Sequence, residues 1–182
     1  GRAVAKALEA EGVDHVFGIV GTHDCPLFDG VFDDPAFQVV TVRHEQGASM
    51  LAAGYARASG RIAACFVVPG PGLTNALTGM GMAHSESAPM LVFAGQNALA
   101  QLEREGGHFH ELADSVNVAA SVCGYATRAT SVAEVLTGLA GIHVSSYSGN
   151  ASQAIVDMRG FGTEAGYLRH VVLLDGRRLN RP

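Results

Sequence analysis

The sequence predicts an α/β fold in which helices flank both faces of a parallel sheet, followed by an atypical C-terminal tail. Two observations support this fold class. Between residues 2 and 95, short apolar segments alternate with segments of helical periodicity. Polar and glycine-rich residues are concentrated directly after the apolar segments. Because ligands of open parallel sheets bind outside the carboxyl ends of the strands, the same pattern predicts a site at that edge.

Eight elements are predicted in this region. The helices are Arg2–Glu11, Pro26–Phe32, Glu45–Ser59 and Leu73 to about His84, and the strands are His15–Val20, Phe37–Val42, Ile62–Val68 and Met90–Ala94. Val4 and Leu8 lie four residues apart in the first helix, and the apolar residues of the second share one helical face. Gly12 and Gly60 end the first and third helices. The third strand is almost wholly apolar, which is typical of a strand buried on both faces.

Composition limits the possible functions. Of the 182 residues, 48% are hydrophobic and 16% are charged, which indicates a globular protein. The formal net charge of −5 argues against nucleic-acid binding, and no apolar run approaches the roughly 18 residues of a membrane helix. Cys25, Cys65 and Cys123 form no CxxC pair, which argues against a disulfide framework or a zinc site and favours a reducing cytoplasm. Cys65 is expected to be a small core residue.

Glu45 is the residue most indicative of function. It follows an apolar strand and begins a helix rich in Gly and Ala. A carboxylate in this position either complements the helix dipole, which is the simpler interpretation from position alone, or acts as an acid or base in a poorly solvated pocket. The surrounding motifs favour the second interpretation.

Several motifs, taken in order, resemble those of one enzyme family. They are Val16–Gly21 (VFGIVG), Arg43–Ala48 (RHEQGA), Ala52–Gly60 (AAGYARASG), Pro69–Ala76 (PGPGLTNA), Ala88–Gln96 (APMLVFAGQ) and Phe109–Glu111 (FHE). Through them, residues 1–131 are similar to the aminopyrimidine-binding (Pyr) domain of thiamine-diphosphate enzymes, above all acetolactate synthase and its relatives. Several independent motifs in one order are far more specific than a lone glycine pattern.

The resemblance implies roles for individual residues. In the family, the glutamate that matches Glu45 hydrogen-bonds the ring nitrogen N1′ of the cofactor's aminopyrimidine, in enzymes that act on 2-keto acids. The cofactor-binding residues implied by the match are Gly21, Thr22, Glu45, Pro71, Gly72, Asn75 and Gln96. The implied substrate-pocket residues are His23, Phe109 and His110.

Two of these positions depart from the family pattern. The family's acetolactate synthases often have a small residue where His23 stands, which argues against acetolactate formation itself. The family usually has Gln where His110 stands, which is a second departure. Surface-loop histidines without a catalytic role are the alternative. The cluster His108–Glu111 also suggests a metal site, but no further ligand follows it at a suitable spacing.

The family's second domain, which holds the diphosphate through Mg²⁺ with a Gly-Asp-Gly motif and a later Asn, has no counterpart in this sequence. No Gly-Asp-Gly occurs, and Asp175–Gly176 lies too close to residue 182 to leave room for the Asn. The chain is therefore expected to bind thiamine diphosphate weakly and to be inactive alone. The resemblance further implies a homodimer or homotetramer. Gly1 is expected to lie inside a longer gene, because the chain lacks an initiator Met.

Residues 132–182 differ from the preceding residues in charge. Residues 1–131 hold 7 basic and 13 acidic residues, a net charge of −6, whereas the tail holds 5 and 4, a net charge of +1. The tail motifs Arg159–Gly162 (RGFG) and Leu174–Asn180 (LDGRRLN) resemble the plug domain of TonB-dependent outer-membrane receptors. A fusion with its junction between Ala126 and Leu136 explains the change. The alternative is a diverged Pyr domain with His170–Leu174 as its last strand.

Three functions therefore stay open. The chain is the aminopyrimidine-binding part of a 2-keto acid enzyme that catalyses acetolactate synthase-like carboligation or decarboxylation, a non-catalytic cofactor-binding or oligomerisation module of the same fold, or a fragment of a receptor plug.

Overall fold

The computed structural model describes residues 1–98, 101, 106–130, 134, 142–146, 154–158, 173–174 and 177–178. The chain divides into two compact units, Gly1–Arg128 and Ala129–Pro182. Within the described part of the chain, no helix is both long enough and apolar enough to cross a membrane.

The first unit has the elements that the sequence predicts. The strands are β1 (His15–Gly18), β2 (Gln38–Thr41), β3 (Ala63–Val67) and β4 (Met90–Ala94), and the helices are α1 (Arg2–Ala10), α2 (Cys25–Asp29), α3 (Glu45–Ser59), α4 (Pro71–Ser85) and α5 (Ser115–Ala120). The bounds of α3 and β4 match the prediction, whereas β1 ends at Gly18 and α4 already begins at Pro71. The sequence pattern does not predict α5.

The four strands form one parallel sheet in the order β2-β1-β3-β4, which confirms the predicted α/β class. In β1, Val16 pairs with Val39 of β2 on one side and with Ala64 of β3 on the other. In β3, Cys65 pairs with Val92 of β4. Because all four strands run in the same direction, the loops that follow them meet at one edge of the sheet, which we call the carboxyl edge.

Apolar side chains of the sheet are covered on both faces. On one face, Cys65 and Val67 belong to a buried cluster with Ala52 of α3. On the other face, the ring of Phe66 meets the ring of Phe28 from α2 edge-on at 5.3 Å. The prediction of Cys65 as a small core residue is confirmed, because its side chain is fully buried and burial raises its pKa to about 12.

Helices α3 and α4 pack closely because small residues face each other. A Cβ placed on Gly79 of α4 would lie only 2.3 Å from Oγ of Ser49 in α3. Ala48 and Ala52 of α3 are fully buried. This close approach sets the first turns of α3 and α4 side by side at the carboxyl edge.

The described strands of the second unit pair locally. Strand β5 (Ile142–Ser146) is antiparallel to β6 (Ala154–Met158), and β7 (Leu173–Leu174) is antiparallel to β8 (Arg177–Arg178). The motif Arg159–Gly162, most of 174–180 and the first residues of the alternative last strand, 170–172, lie outside the described residues.

At the opposite, amino end of the sheet, Asp14 is the centre of a polar network. The hydroxyl of Tyr55 donates to Oδ1 of Asp14 at 2.8 Å, Nδ1 of His15 lies 2.9 Å from the same oxygen, and the guanidinium of Arg61 pairs with Oδ2. Partial burial disfavours the charged carboxylate, but the interactions with His15, Tyr55 and Arg61 outweigh it and lower the pKa of Asp14. The ionised carboxylate therefore stabilises the fold above its unfolded-state pKa, and this contribution is lost as the pH falls through the folded-state pKa.

We expect Asp14→Asn to lower the free energy of unfolding by about 1–2 kcal/mol at pH 7, because the charged partner of Arg61 is lost. In urea unfolding, the difference from the wild type should be smaller at a pH below the folded-state pKa of Asp14, where the wild-type carboxyl is also neutral. Asp33→Asn, at an exposed aspartate, is the matched control and should stay within about 0.5 kcal/mol of the wild type. If Asp14→Asn lowers the free energy of unfolding equally at pH 7 and at the low pH, the ionised carboxylate of Asp14 does not stabilise the fold.

Candidate active site

Glu45 is the first residue of α3 and is half-buried at the carboxyl edge. The preceding residue, His44, is the N-cap, and its Nδ1 accepts a hydrogen bond from the Gln46 N–H at 3.2 Å. Glu45 is therefore free of the capping role, and its Oε2 instead accepts a hydrogen bond from Nδ2 of Asn75 in α4 at 3.0 Å. Its other oxygen, Oε1, lies beside Gly72, where an added Cβ would be 3.6 Å away. Three predicted site residues, Glu45, Gly72 and Asn75, thus lie together.

Val68, which follows β3, lies between two glycines of the site. A Cβ on Gly21 would lie 2.4 Å from Cγ1 of Val68, and a Cβ on Gly72 would lie 2.6 Å from Cγ2. Both positions therefore require glycine while Val68 is present. The sequence pattern does not single out Val68, because only the folded chain brings the two glycine turns to the same side chain.

The predicted substrate-pocket residues also lie together. The rings of His23 and His110 are 5.5 Å apart between centroids, and the ring of Phe109 stacks on that of His110 at 3.9 Å. Phe109 is 77% exposed, whereas Nδ1 of His110 is buried and has no hydrogen-bond partner in the described structure. The two departures from the family pattern, His23 and His110, are therefore neighbours in space.

The backbone of His110 has a rare conformation and lies against the turn before α4. Its φ is 65°, which is uncommon for a residue with a side chain. A Cβ on Gly70 would lie 2.5 Å from the carbonyl oxygen of His110, so that the turn before α4 packs directly on this backbone. Gly70 itself has a φ of 61°. Left-handed backbone at a non-glycine residue costs free energy and is often found at functional sites.

The remaining predicted cofactor-binding residues lie at the same edge without joining the Glu45 cluster. Oε1 of Gln96 accepts the N–H of Asn97 at 2.9 Å. Its Nε2 lies 3.5 Å from Oγ of Ser115, the first residue of α5, and not beside Glu45. Thr22 and Pro71 are exposed.

Besides Glu45, a second carboxyl lies at the carboxyl edge, at the end of the loop between β1 and α2. The sequence pattern does not single it out. Asp24 is fully buried, and its Oδ1 accepts the N–H of Gly21 at 2.6 Å. Burial raises the pKa of Asp24, and the negative charge of Glu45 raises it further, against the opposing hydrogen bond from Gly21 and the charge of His23.

The described residues contain no group of three or more His, Cys, Asp or Glu side chains that could hold a metal ion. In the cluster His108–Glu111, the carboxylate of Glu111 accepts the backbone N–H of His108 at 2.7 Å. Glu111 thus closes a local turn there.

Comparison with known proteins finds two family matches. Residues 1–118 match the family described as thiamine pyrophosphate enzyme, N-terminal TPP binding domain. Residues 112–182 match the TonB-dependent receptor plug domain.

Individual relatives agree with the first match. A probable 2-ketoarginine decarboxylase of Pseudomonas aeruginosa is 41% identical over 131 residues, which cover 72% of this chain and 23% of the relative. The acetolactate synthase large subunit of Lactococcus lactis is 38% identical over 122 residues, 67% of this chain and 21% of the relative. The mitochondrial acetolactate synthase catalytic subunit of Aspergillus candidus is 33% identical over 165 residues, 91% of this chain and 23% of the relative. The chain thus spans less than a quarter of the length of these curated relatives.

The family match and the Aspergillus relative favour different origins for the tail, residues 132–182. The plug match covers the whole of it, which favours a fusion. The alignment of 165 residues with the Aspergillus protein must include part of the tail as well, which favours a diverged Pyr domain.

We expect Gly72→Ala to lower the free energy of unfolding by about 1–3 kcal/mol, because the new methyl group collides with Val68 although Ala is the better helix former. Gly54→Ala in α3 is the matched control, because an added Cβ there meets nothing within 4 Å. That change should be neutral or stabilise by up to about 1 kcal/mol.

Adding Val68→Ala to Gly72→Ala should recover part of the loss in a double-mutant cycle followed by thermal unfolding. If Gly72→Ala melts as high as Gly54→Ala, the close packing described for this edge is wrong.

Proposed function

The chain belongs to the thiamine pyrophosphate enzyme family, and from that premise we propose that residues 1–131 bind the aminopyrimidine half of thiamine diphosphate in an enzyme that acts on 2-keto acids. The observation that carries the proposal is the half-buried carboxylate of Glu45 at the carboxyl edge, held at 3.0 Å by Asn75. The names of the relatives, a 2-ketoarginine decarboxylase and acetolactate synthases, support 2-keto acids as the substrate class.

The residues of the site suit an aminopyrimidine ring. Glu45 would hold a proton between its carboxylate and the ring nitrogen N1′, while Asn75 keeps the carboxylate in place. Gly21 and Gly72, where a side chain would collide with Val68, let the turns after β1 and β3 pack on that side chain close to Glu45. When bound, the cofactor supplies the electron sink for cleavage next to the keto group.

In this proposal, a separate domain of the whole enzyme holds the diphosphate half and its Mg²⁺. The chain spans less than a quarter of its curated relatives. The site then becomes complete in a homodimer or homotetramer of the whole enzyme, and the chain alone turns over no substrate. Its three cysteines are free thiols, which suits a cytoplasmic enzyme.

His23, Phe109 and His110 form the substrate side of the proposed site. The two imidazoles lie 5.5 Å apart and can donate hydrogen bonds to the carboxylate of a 2-keto acid. The exposed ring of Phe109, stacked on His110, offers an apolar wall.

We expect the chain to restore 2-keto acid decarboxylation when a separately expressed diphosphate-binding domain of a relative is added together with thiamine diphosphate and Mg²⁺. Glu45→Gln keeps the size of the side chain but cannot exchange the proton, and should lower the rate at least a hundredfold. Carbon dioxide release measures the rate. Glu11→Gln, in the loop after α1, is the control for loss of a carboxylate and should leave the rate unchanged.

Equal rates for the wild type and Glu45→Gln would contradict the catalytic role. They would favour the second candidate, a non-catalytic module that keeps the fold.

For the tail, we infer a segment of separate, plug-like ancestry, favoured by the match over residues 112–182. Sequencing the coding DNA beyond residue 182 tests this inference. Alternating strands of a receptor barrel would support it, and a Gly-Asp-Gly motif followed by an Asn would overturn it.

A further inference from the structure

Asp24 is a buried carboxyl that the proposed reaction does not use. Its side chain is fully buried, with Oδ1 accepting the Gly21 N–H at 2.6 Å. Its Oδ2 is buried and has no hydrogen-bond partner in the described structure. A buried carboxyl oxygen without a partner costs free energy, so that a purely structural site would favour another residue type.

The place of Asp24 in the chain suggests helix capping, but its side chain does something else. Asp24 is the N-cap residue of α2, where an Asp normally accepts a hydrogen bond from the helix's first free N–H groups. Its side chain makes no such bond. It turns back along the chain to Gly21, and thereby closes the turn that contains Thr22 and His23.

This turn packs against the residues that directly follow β3 and β4 at the carboxyl edge. From the side of β3, Val68 lies against Gly21, where a Cβ would be 2.4 Å from Cγ1. From the end of β4, a Cβ on Gly95 would lie 2.5 Å from the carbonyl oxygen of His23 and 3.2 Å from the nitrogen of Asp24. The turn can therefore move little without displacing a strand end.

The same side chain of Val68 links Asp24 to Glu45. Val68 also lies against Gly72, which in turn borders Oε1 of Glu45. The charged groups that act on Asp24 are Glu45 at the start of α3 and His23 in its own turn, while Val68 and Gly95 carry no charge. Asp24 and Glu45 thus lie near the same apolar side chain, and the negative charge of Glu45 raises the pKa of Asp24.

We propose that Asp24 is a positioning residue of the site, which holds the turn from Gly21 to Asp24 so that Thr22 and His23 face the bound cofactor and its 2-keto acid. This role rests on the proposed function. The hydrogen bond to Gly21 needs only an acceptor oxygen, so that the turn keeps its shape whether Asp24 is charged or neutral.

The test compares Asp24→Asn and Asp24→Ala in the full chain, with Asp29→Asn, at the exposed last residue of α2, as the matched control. Asn retains an oxygen for the Gly21 N–H, whereas Ala does not. In NMR titrations, thiamine diphosphate should bind Asp24→Ala about tenfold more weakly than the wild type. Its dissociation constants for Asp24→Asn and Asp29→Asn should lie within about threefold of the wild-type value. The amide of Gly21 should exchange with solvent about tenfold faster in Asp24→Ala only.

A second measurement leaves position 24 unchanged, and so does not depend on the folding of Asp24→Ala. The carboxyl carbon of Asp24, followed by NMR as the pH is varied, should titrate at a lower pH in Glu45→Gln than in the wild type. The reason is that removing a like charge favours the ionised form. A carboxyl that only fills space away from the site would titrate identically in both proteins.

The outcomes separate this inference from the proposed function. The role of Asp24 alone is overturned if Asp24→Ala binds thiamine diphosphate as tightly as the wild type does. It is also overturned if Asp24 titrates at the same pH in Glu45→Gln and in the wild type. If the wild type itself does not bind thiamine diphosphate, the proposed function fails and the role of Asp24 fails with it.

Discussion

The hydrogen bond between Glu45 and Asn75 is the interaction on which the site depends. It joins the first turns of α3 and α4, which the small residues at their interface already bring together. A carboxylate at a helix N-terminus would otherwise turn towards solvent or towards the free backbone N–H groups. Here His44 takes the capping position, and the amide of Asn75 draws the carboxylate towards Gly72. The carboxylate is therefore held between the first turns of α3 and α4.

The parallel sheet explains why the other site residues reach the same place. The loops after β1, β3 and β4 all leave the carboxyl edge, and glycines allow them to touch where side chains would collide. Gly21 and Gly72 both pack on Val68, and Gly70 packs on the backbone of His110. Such close packing leaves each loop few alternative arrangements, so that the site is largely preorganised before any ligand binds.

Much of this arrangement could be predicted from the sequence, because it depends on local patterns. Apolar runs ended by glycine predict the strands, and a carboxylate after such a run predicts the place of Glu45 at the edge. The sequence brings His23 and His110 to one pocket only through the family resemblance, because the left-handed backbone at His110 has no local signal in the sequence. The position of Asp24 before α2 predicts a helix cap. In the folded chain its side chain is buried and accepts the N–H of Gly21 instead. Tertiary packing decides these cases against local preference.

The most direct test of the account is to observe the ring nitrogen itself. Thiamine diphosphate labelled with ¹⁵N at N1′ can be titrated with the wild-type chain and with Glu45→Gln, and followed by ¹⁵N NMR. If Glu45 binds the pyrimidine, the N1′ resonance moves towards that of a protonated, hydrogen-bonded nitrogen in the wild type, and this movement is lost in Glu45→Gln. An N1′ resonance that moves equally with both proteins, or with neither, would contradict the claim that Glu45 binds the pyrimidine.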